Sequence, residues 1–110
     1  GVKGKTSDDF KSLGQLQREL LAAAVEMCCV NGHIVYSTCS VTVEENEQVV
    51  DWAVKKYKVR IVDTGLSFGT PGMTAFRGHQ FDKAMSKTMR YYPHTHNLDG
   101  FYVAKLERYA

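Results

Sequence analysis

HIVYSTCSVTVEENEQVVDWAVKKYKVRIVD, His33 to Asp63, holds the pattern on which the fold turns. His33 to Thr38 is a short apolar run rich in strand formers, with no Pro or Gly inside, and it reads as a strand buried on both faces. Thr42 and Glu45 then have capping-box spacing, and Glu44, Glu45 and Glu47 place negative charge where a helix N-terminus favours it. These signals predict a helix from about Val43 to Lys56. Its Val49, Val50, Ala53, Val54 and Tyr57 would form an apolar stripe against a sheet, and Lys55, Lys56 and Lys58 close its positive end. Val59 to Asp63 is again strand-like. Strand, helix, strand implies a right-handed parallel crossover, which is half of an α/β sheet.

Upstream, Asn31-Gly32 is a stop signal for a long helix predicted from about Ser7 to Cys29. Thr6 and Asp9 have the spacing of a capping box, GVKGKT before them reads as a loop, and Phe10, Leu13, Leu16, Gln17, Leu20, Leu21, Ala24, Val25 and Cys28 trace one mostly apolar face. Cys28 and Cys29 read as small hydrophobes packed in the core or at the helix end. Downstream, Thr64 to Met89 reads as a long loop. Gly65, Gly69, Pro71, Gly72 and Gly78 punctuate it, and the interleaved Phe68, Met73, Phe76 and Phe81 argue against simple disorder. Phe101 to Leu106 reads as a closing strand, antiparallel and inserted beside the earlier two.

Composition narrows the class. With 110 residues, 44% of them apolar, the chain is one domain or part of one. A formal net charge of +2 is too small to argue for nucleic acid by itself. No apolar run approaches the roughly 18–20 residues of a membrane span, and the N-terminal segment lacks the apolar stretch of a signal peptide, so the expectation is a soluble, intracellular protein without a membrane partner. Three cysteines, with no CxxC pair and no zinc-site spacing, suit free thiols in a reducing compartment. Neither GxGxxG nor GxxxxGK[ST] is present, so no cofactor or nucleotide cradle is read in this chain.

Chemistry has three candidate places. Cys39 lies at the carboxyl end of the strand Ile34 to Thr38, where open α/β sheets collect ligands, and a helix N-terminus follows. The nearby glutamates oppose thiolate formation, so residue type and position leave open whether Cys39 is a nucleophile or core packing. His94 and His96 form an HxH pair near Asp99 but lack a third ligand, so no metal is expected; substrate contact or loop hydrogen bonding fits them better. Arg90, Tyr91 and Tyr92 offer a guanidinium for a phosphate and aromatic faces for a base, or else a strand with one exposed arginine.

Taken in order, LGQLQRELLAAAV, GHIVYSTCSVTVEENEQVV, VDTGLSFG and RYYPHTHNLDGFYVAKL resemble the C-terminal half of the catalytic domain in the NOL1/NOP2/Sun family of RNA cytosine-5 methyltransferases, and in particular its nucleolar ribosomal-RNA branch. The likeness runs over nearly the whole chain. It implies the distal half of a Rossmann-like, S-adenosylmethionine-dependent methyltransferase sheet: helix, strand, helix, strand, long loop, antiparallel closing strand. The cysteine of the family's TCS motif matches Cys39. As the nucleophile it would add to carbon 6 of a cytosine, so that carbon 5 attacks the methyl group of the cofactor. Arg90, Tyr92, His94 and His96 are then candidate contacts to substrate RNA. The family's glycine-rich cofactor loop and Pro-Cys segment have no counterpart here. Residues 1–110 are therefore expected to be one part of a single catalytic domain, inactive alone, from a nucleolar protein acting on ribosomal RNA in a pre-ribosomal particle.

Two other readings stand beside this one. The first is a non-catalytic module that grips RNA or protein during ribosome assembly through Arg60, Arg77, Lys83, Lys87 and Arg90. The second is a cysteine-nucleophile hydrolase, which would need His94 or His96 as a base beside Cys39. The unpaired edge of the strand Ile34 to Thr38 is also expected to be an association hazard.

Overall fold

The computed structural model describes residues 14–96 and 99–110. The leading loop, the Thr6–Asp9 capping box and the helical positions before Gly14, Phe10 and Leu13 included, lie outside the described residues. Helix α1 spans Gln15–Met27 and ends two residues earlier than expected, because Cys28 turns to extended backbone and its N–H closes on Val25 O. The Arg108 guanidinium takes up the orphan carbonyls of Val25 and Cys28 at 3.1 and 2.6 Å. Asn31 then adopts a left-handed φ of 69°, a conformation asparagine tolerates, and the chain turns into β1, His33–Thr38.

Helix α2, Glu47–Lys56, starts four residues later than predicted. Residues 43–46 form a turn, and Asn46 breaks the helical path with φ −114° and ψ −100°. Of the capping box predicted from Thr42 and Glu45, one half forms, Glu45 N donating to Thr42 Oγ1 at 3.3 Å, but Thr42 N donates to Ser40 Oγ instead, and the contact lies on this turn rather than on the helix itself. Val49, Val50 and Ala53 are fully buried on the sheet. β2 follows as Val59–Val62, one residue shorter than read.

The segment read as a long loop carries structure of its own. Two-residue strands β3 (Thr70–Pro71), β4 (Ala75–Phe76) and β5 (His79–Gln80) precede a 3-10 turn, Lys83–Lys87, and β6, Met89–Tyr91. One turn of helix, α3 (Pro93–His96), leads on to β7, Phe101–Arg108.

β7 is the centre of the sheet. β1 pairs antiparallel with one edge of it, from His33↔Glu107 to Thr38↔Tyr102. On the other edge β2 pairs with Lys105–Arg108 and β6 with Phe101–Val103, both antiparallel. β1 and β2 are therefore parallel to each other, as the strand-helix-strand order requires, with the closing strand between them. Tyr36, Val59, Ile61, Tyr102, Ala104 and Leu106 share one face and meet Leu21, Val25, Val49, Val50, Ala53 and Met85 in a single core. Burying each such aliphatic side chain stabilises the fold by about 1.5–3 kcal/mol.

The opposite face departs from expectation. β1 is not buried on both sides: its exposure alternates, and Val35 is 65% exposed, because among the described residues both long helices pack on the Tyr36 side. Leu16 and Leu20 of α1 are likewise exposed. β1 is an edge strand of this sheet. No described helix is long and apolar enough to cross a membrane.

Candidate active site

Cys39 is the first residue past β1, and it is exposed. Its neighbours on both sides are held by one buried side chain. Asn46, with no solvent exposure, accepts a hydrogen bond from Thr38 Oγ1 at 2.5 Å and donates Nδ2–H to Ser40 O at 2.9 Å. Ser40 N donates back to Thr38 Oγ1 at 3.2 Å. Further along, Ser40 Oγ and Thr42 Oγ1 both donate to Glu45 Oε1, at 3.0 and 3.1 Å. The thiol thus projects from a short loop with its backbone locked on either side, the preorganised placement that a nucleophile requires.

A second clamp comes from far along the chain. Arg90, 2% exposed on β6, donates Nη1–H to Val41 O at 2.7 Å and grips Glu47 with Nε and Nη2, the latter at 2.5 Å from Oε1. Burial by itself would lower the Arg90 pKa; hydrogen bonds to the Glu47 carboxylate and its charge outweigh this and raise it. Glu47 Oε2 also accepts Met73 N–H at 2.9 Å, tying the β3–β4 connection to the same point. Gly100 packs closely as well: a Cβ there would stand 2.7 Å from Val41 Cγ1 and 3.7 Å from Cys39 O. Arg90 and Gly100 therefore brace the loop that carries Cys39.

This geometry corrects the reading of Arg90. Its guanidinium is not free for a phosphate and is not an exposed strand residue, since it is buried and each of its nitrogens donates to Glu47 or Val41 O. Tyr92 is half-buried, its ring 5.9 Å from the Arg90 guanidinium. His94 is exposed on α3. His96 is half-buried, its Nδ1 accepting from Tyr92 N at 3.0 Å and its ring 5.5 Å from Tyr91. That nitrogen serves the backbone of its own turn rather than Cys39, which weakens the hydrolase reading. Among the described residues no group of three or more His, Cys, Asp or Glu side chains is placed to hold a metal. Of the basic residues named above, Arg60 pairs with Glu107 at 3.3 Å and Arg77 stacks on Phe76, while Lys83 and Lys87 are exposed.

Asn46 and Glu47 were not singled out from sequence as site residues. A signal existed for Glu47: it lies three residues before Val50 and seven before Val54, on the buried stripe of α2, and an acid there demands a cation. Asn46 gave none, since its partners depend on how the loop closes.

The family model described as 16S rRNA methyltransferase RsmB/F matches residues 2–107. The chain is 48% identical over 113 residues to the 28S rRNA (cytosine(4447)-C(5))-methyltransferase of Homo sapiens, and 49% identical over 109 residues to the 25S rRNA (cytosine-C(5))-methyltransferase nop2 of Schizosaccharomyces pombe. These alignments cover 96% and 94% of this chain but only 14% and 18% of the relatives. Among solved structures, a methyltransferase homolog protein from Pyrococcus horikoshii superposes with a TM-score of 0.86 at 36% identity, covering 94% of this chain and 33% of that one. NSun6 from Pyrococcus horikoshii with SFG gives a TM-score of 0.80 at 30% identity, over 96% of this chain and 25% of that one.

Proposed function

The chain belongs to the 16S rRNA methyltransferase RsmB/F family, and from that premise we propose that residues 1–110 are the distal part of the catalytic domain of an S-adenosylmethionine-dependent ribosomal RNA (cytosine-5) methyltransferase, with Cys39 as its nucleophile. One observation carries the reading: an exposed thiol at the carboxyl end of β1, its flanking backbone clamped by Asn46 and by the Arg90–Glu47 pair. The exposure of Cys39 supports this reading over core packing.

The chain's own part is the covalent step. The Cys39 thiolate adds to carbon 6 of the target cytosine, and the displaced electron density makes carbon 5 nucleophilic. Once carbon 5 carries the methyl group, loss of its proton leaves an electron pair that expels the thiolate and restores the aromatic ring. Cysteine suits both halves, being a strong nucleophile and a good leaving group.

The described residues do not fit the methyl donor. The turn from β1 into α2, residues 39–46, has no glycine to let a cofactor approach the backbone, and the positive-φ glycines Gly65, Gly69 and Gly78 all lie between β2 and β6. The donor's pocket is placed by this proposal on other residues of the parent protein.

Relatives named for 28S, 25S and 26S rRNA support large-subunit ribosomal RNA as the substrate. A pre-ribosomal particle as the partner and the nucleolus as the location belong to the same proposal. The test is methyl transfer by the full-length parent: Cys39→Ala should abolish it, and a wild-type rate in that variant would remove Cys39 from the reaction.

A further inference from the structure

Away from the Cys39 loop, the β4–β5 hairpin folds over the outer side of α2 and leaves a cavity of about 200 Å³ between them. Trp52, Phe76 and Phe81 supply aromatic walls, and Gln48 and Gln80 supply amides that both donate and accept hydrogen bonds. Asp51, 6% exposed, lines the cavity too, but it is committed, accepting Asp82 N–H at 2.8 Å and pairing with Lys55 at 2.6 Å. Outside the lining, cations flank two of these rings: Lys56 Nζ sits 5.1 Å from the centre of the Trp52 ring, and the Arg77 guanidinium lies 4.9 Å from that of Phe76.

We infer that this cavity binds one unstacked base of the substrate RNA, at a nucleotide other than the cytosine held at Cys39. The inference rests on the proposed RNA methyltransferase function. Aromatic walls, amide edges and flanking cations are the combination by which proteins hold single-stranded nucleotides. The volume falls below the roughly 300–1,000 Å³ of pockets for drug-sized ligands, which suits a single flat ring. Placement fits as well. Gln48 directly follows Glu47, the anchor of the Arg90 clamp, and Trp52 lies about 7–8 Å further along the helix axis. The cavity therefore lies along the helix whose first residue is tied, through Arg90, to the loop carrying Cys39.

The probe is a six-nucleotide oligouridylate carrying 4-thiouridine, photocrosslinked to the full-length parent bearing Cys39→Ala, so that the readout is independent of methyl transfer. Mass spectrometry of the digest should find uridine adducts on Trp52, Phe76 or Phe81. Phe76→Ala, on the two-residue β4, should weaken binding of the same oligonucleotide about tenfold. Replacing the bases by abasic ribose phosphate should weaken it for the unsubstituted pocket and make Phe76→Ala silent. Adducts confined to other segments would overturn the inference, as would an abasic oligomer that binds as tightly as the oligouridylate. Success here with methyl transfer retained in Cys39→Ala would leave this pocket standing and bring down the nucleophile assignment alone.

Discussion

Arg90 and Glu47, 43 residues apart in the chain, form a buried guanidinium–carboxylate pair whose third contact, from Arg90 Nη1 to Val41 O, reaches the loop carrying Cys39. The pair links β6 to the start of α2. Most of its consequences are measurable as stability.

Glu47→Gln removes the counter-charge and leaves a buried arginine. The expected loss is about 3–5 kcal/mol, seen as a lower urea midpoint with an unchanged slope. A joint Arg90→Met and Glu47→Leu change should recover only part of this, because Val41 O and Met73 N–H lose their partners. A single-variant cost under about 1 kcal/mol would show that the pair is not holding the fold together.

Asn46→Asp keeps an acceptor for Thr38 Oγ1 but replaces the donor to Ser40 O with a charged oxygen facing a carbonyl. Stability should fall by about 1–3 kcal/mol. In the parent enzyme kcat should drop more than KM for RNA changes, because the side chain sets the position of Cys39 and does not itself touch substrate. An equal effect confined to KM would contradict that role.

Alkaline pH offers a test of the core. Burial, with a smaller contribution from the Glu45 charge, raises the pKa of Tyr36, and burial raises that of Tyr102. Both groups are favoured in their neutral form in the folded state, so the stability they contribute is complete below the unfolded tyrosine pKa of about 10 and is lost as pH rises beyond it. Urea midpoints should hold steady from neutral pH to about 9 and then fall. Tyr36→Phe should flatten part of that fall while costing about 0.5–1.5 kcal/mol at neutral pH for the lost bond to Glu45 O. An alkaline profile unchanged in Tyr36→Phe would contradict the assignment.

Calorimetric titration of the 110-residue chain with S-adenosylmethionine should give no binding heat, since the turn after β1 has no glycine and no cofactor fingerprint is present. Micromolar affinity would mean that a donor pocket exists within these residues.

Much of the fold was legible in the sequence because it depends on local chemistry. Asn31-Gly32 and a β-branched run set the bounds of β1, and the valine spacing marked the buried face of α2. Phe101 to Leu106 read as an antiparallel insertion, and β7 lies between β1 and β2 as that requires. What escaped depends on distant partners. Nothing near Arg90 announces Glu47, so an arginine read as phosphate-facing is instead internal. Asn46 bends the backbone where capping signals favoured helix, and strands of two residues between β2 and β6 are too short to show a period. Cys39 was legible as a position at a strand end; the clamps that present it were not.

The most direct test of the account is to trap the bond at Cys39. Full-length protein supplied with S-adenosylmethionine is incubated with substrate RNA in which the target cytosine carries fluorine at carbon 5, so that the proton loss that expels the thiolate cannot occur. The account predicts a denaturation-resistant protein–RNA adduct whose mass maps to the peptide containing Cys39, and no adduct in Cys39→Ala. An adduct on a different cysteine, or one that persists in Cys39→Ala, would contradict it.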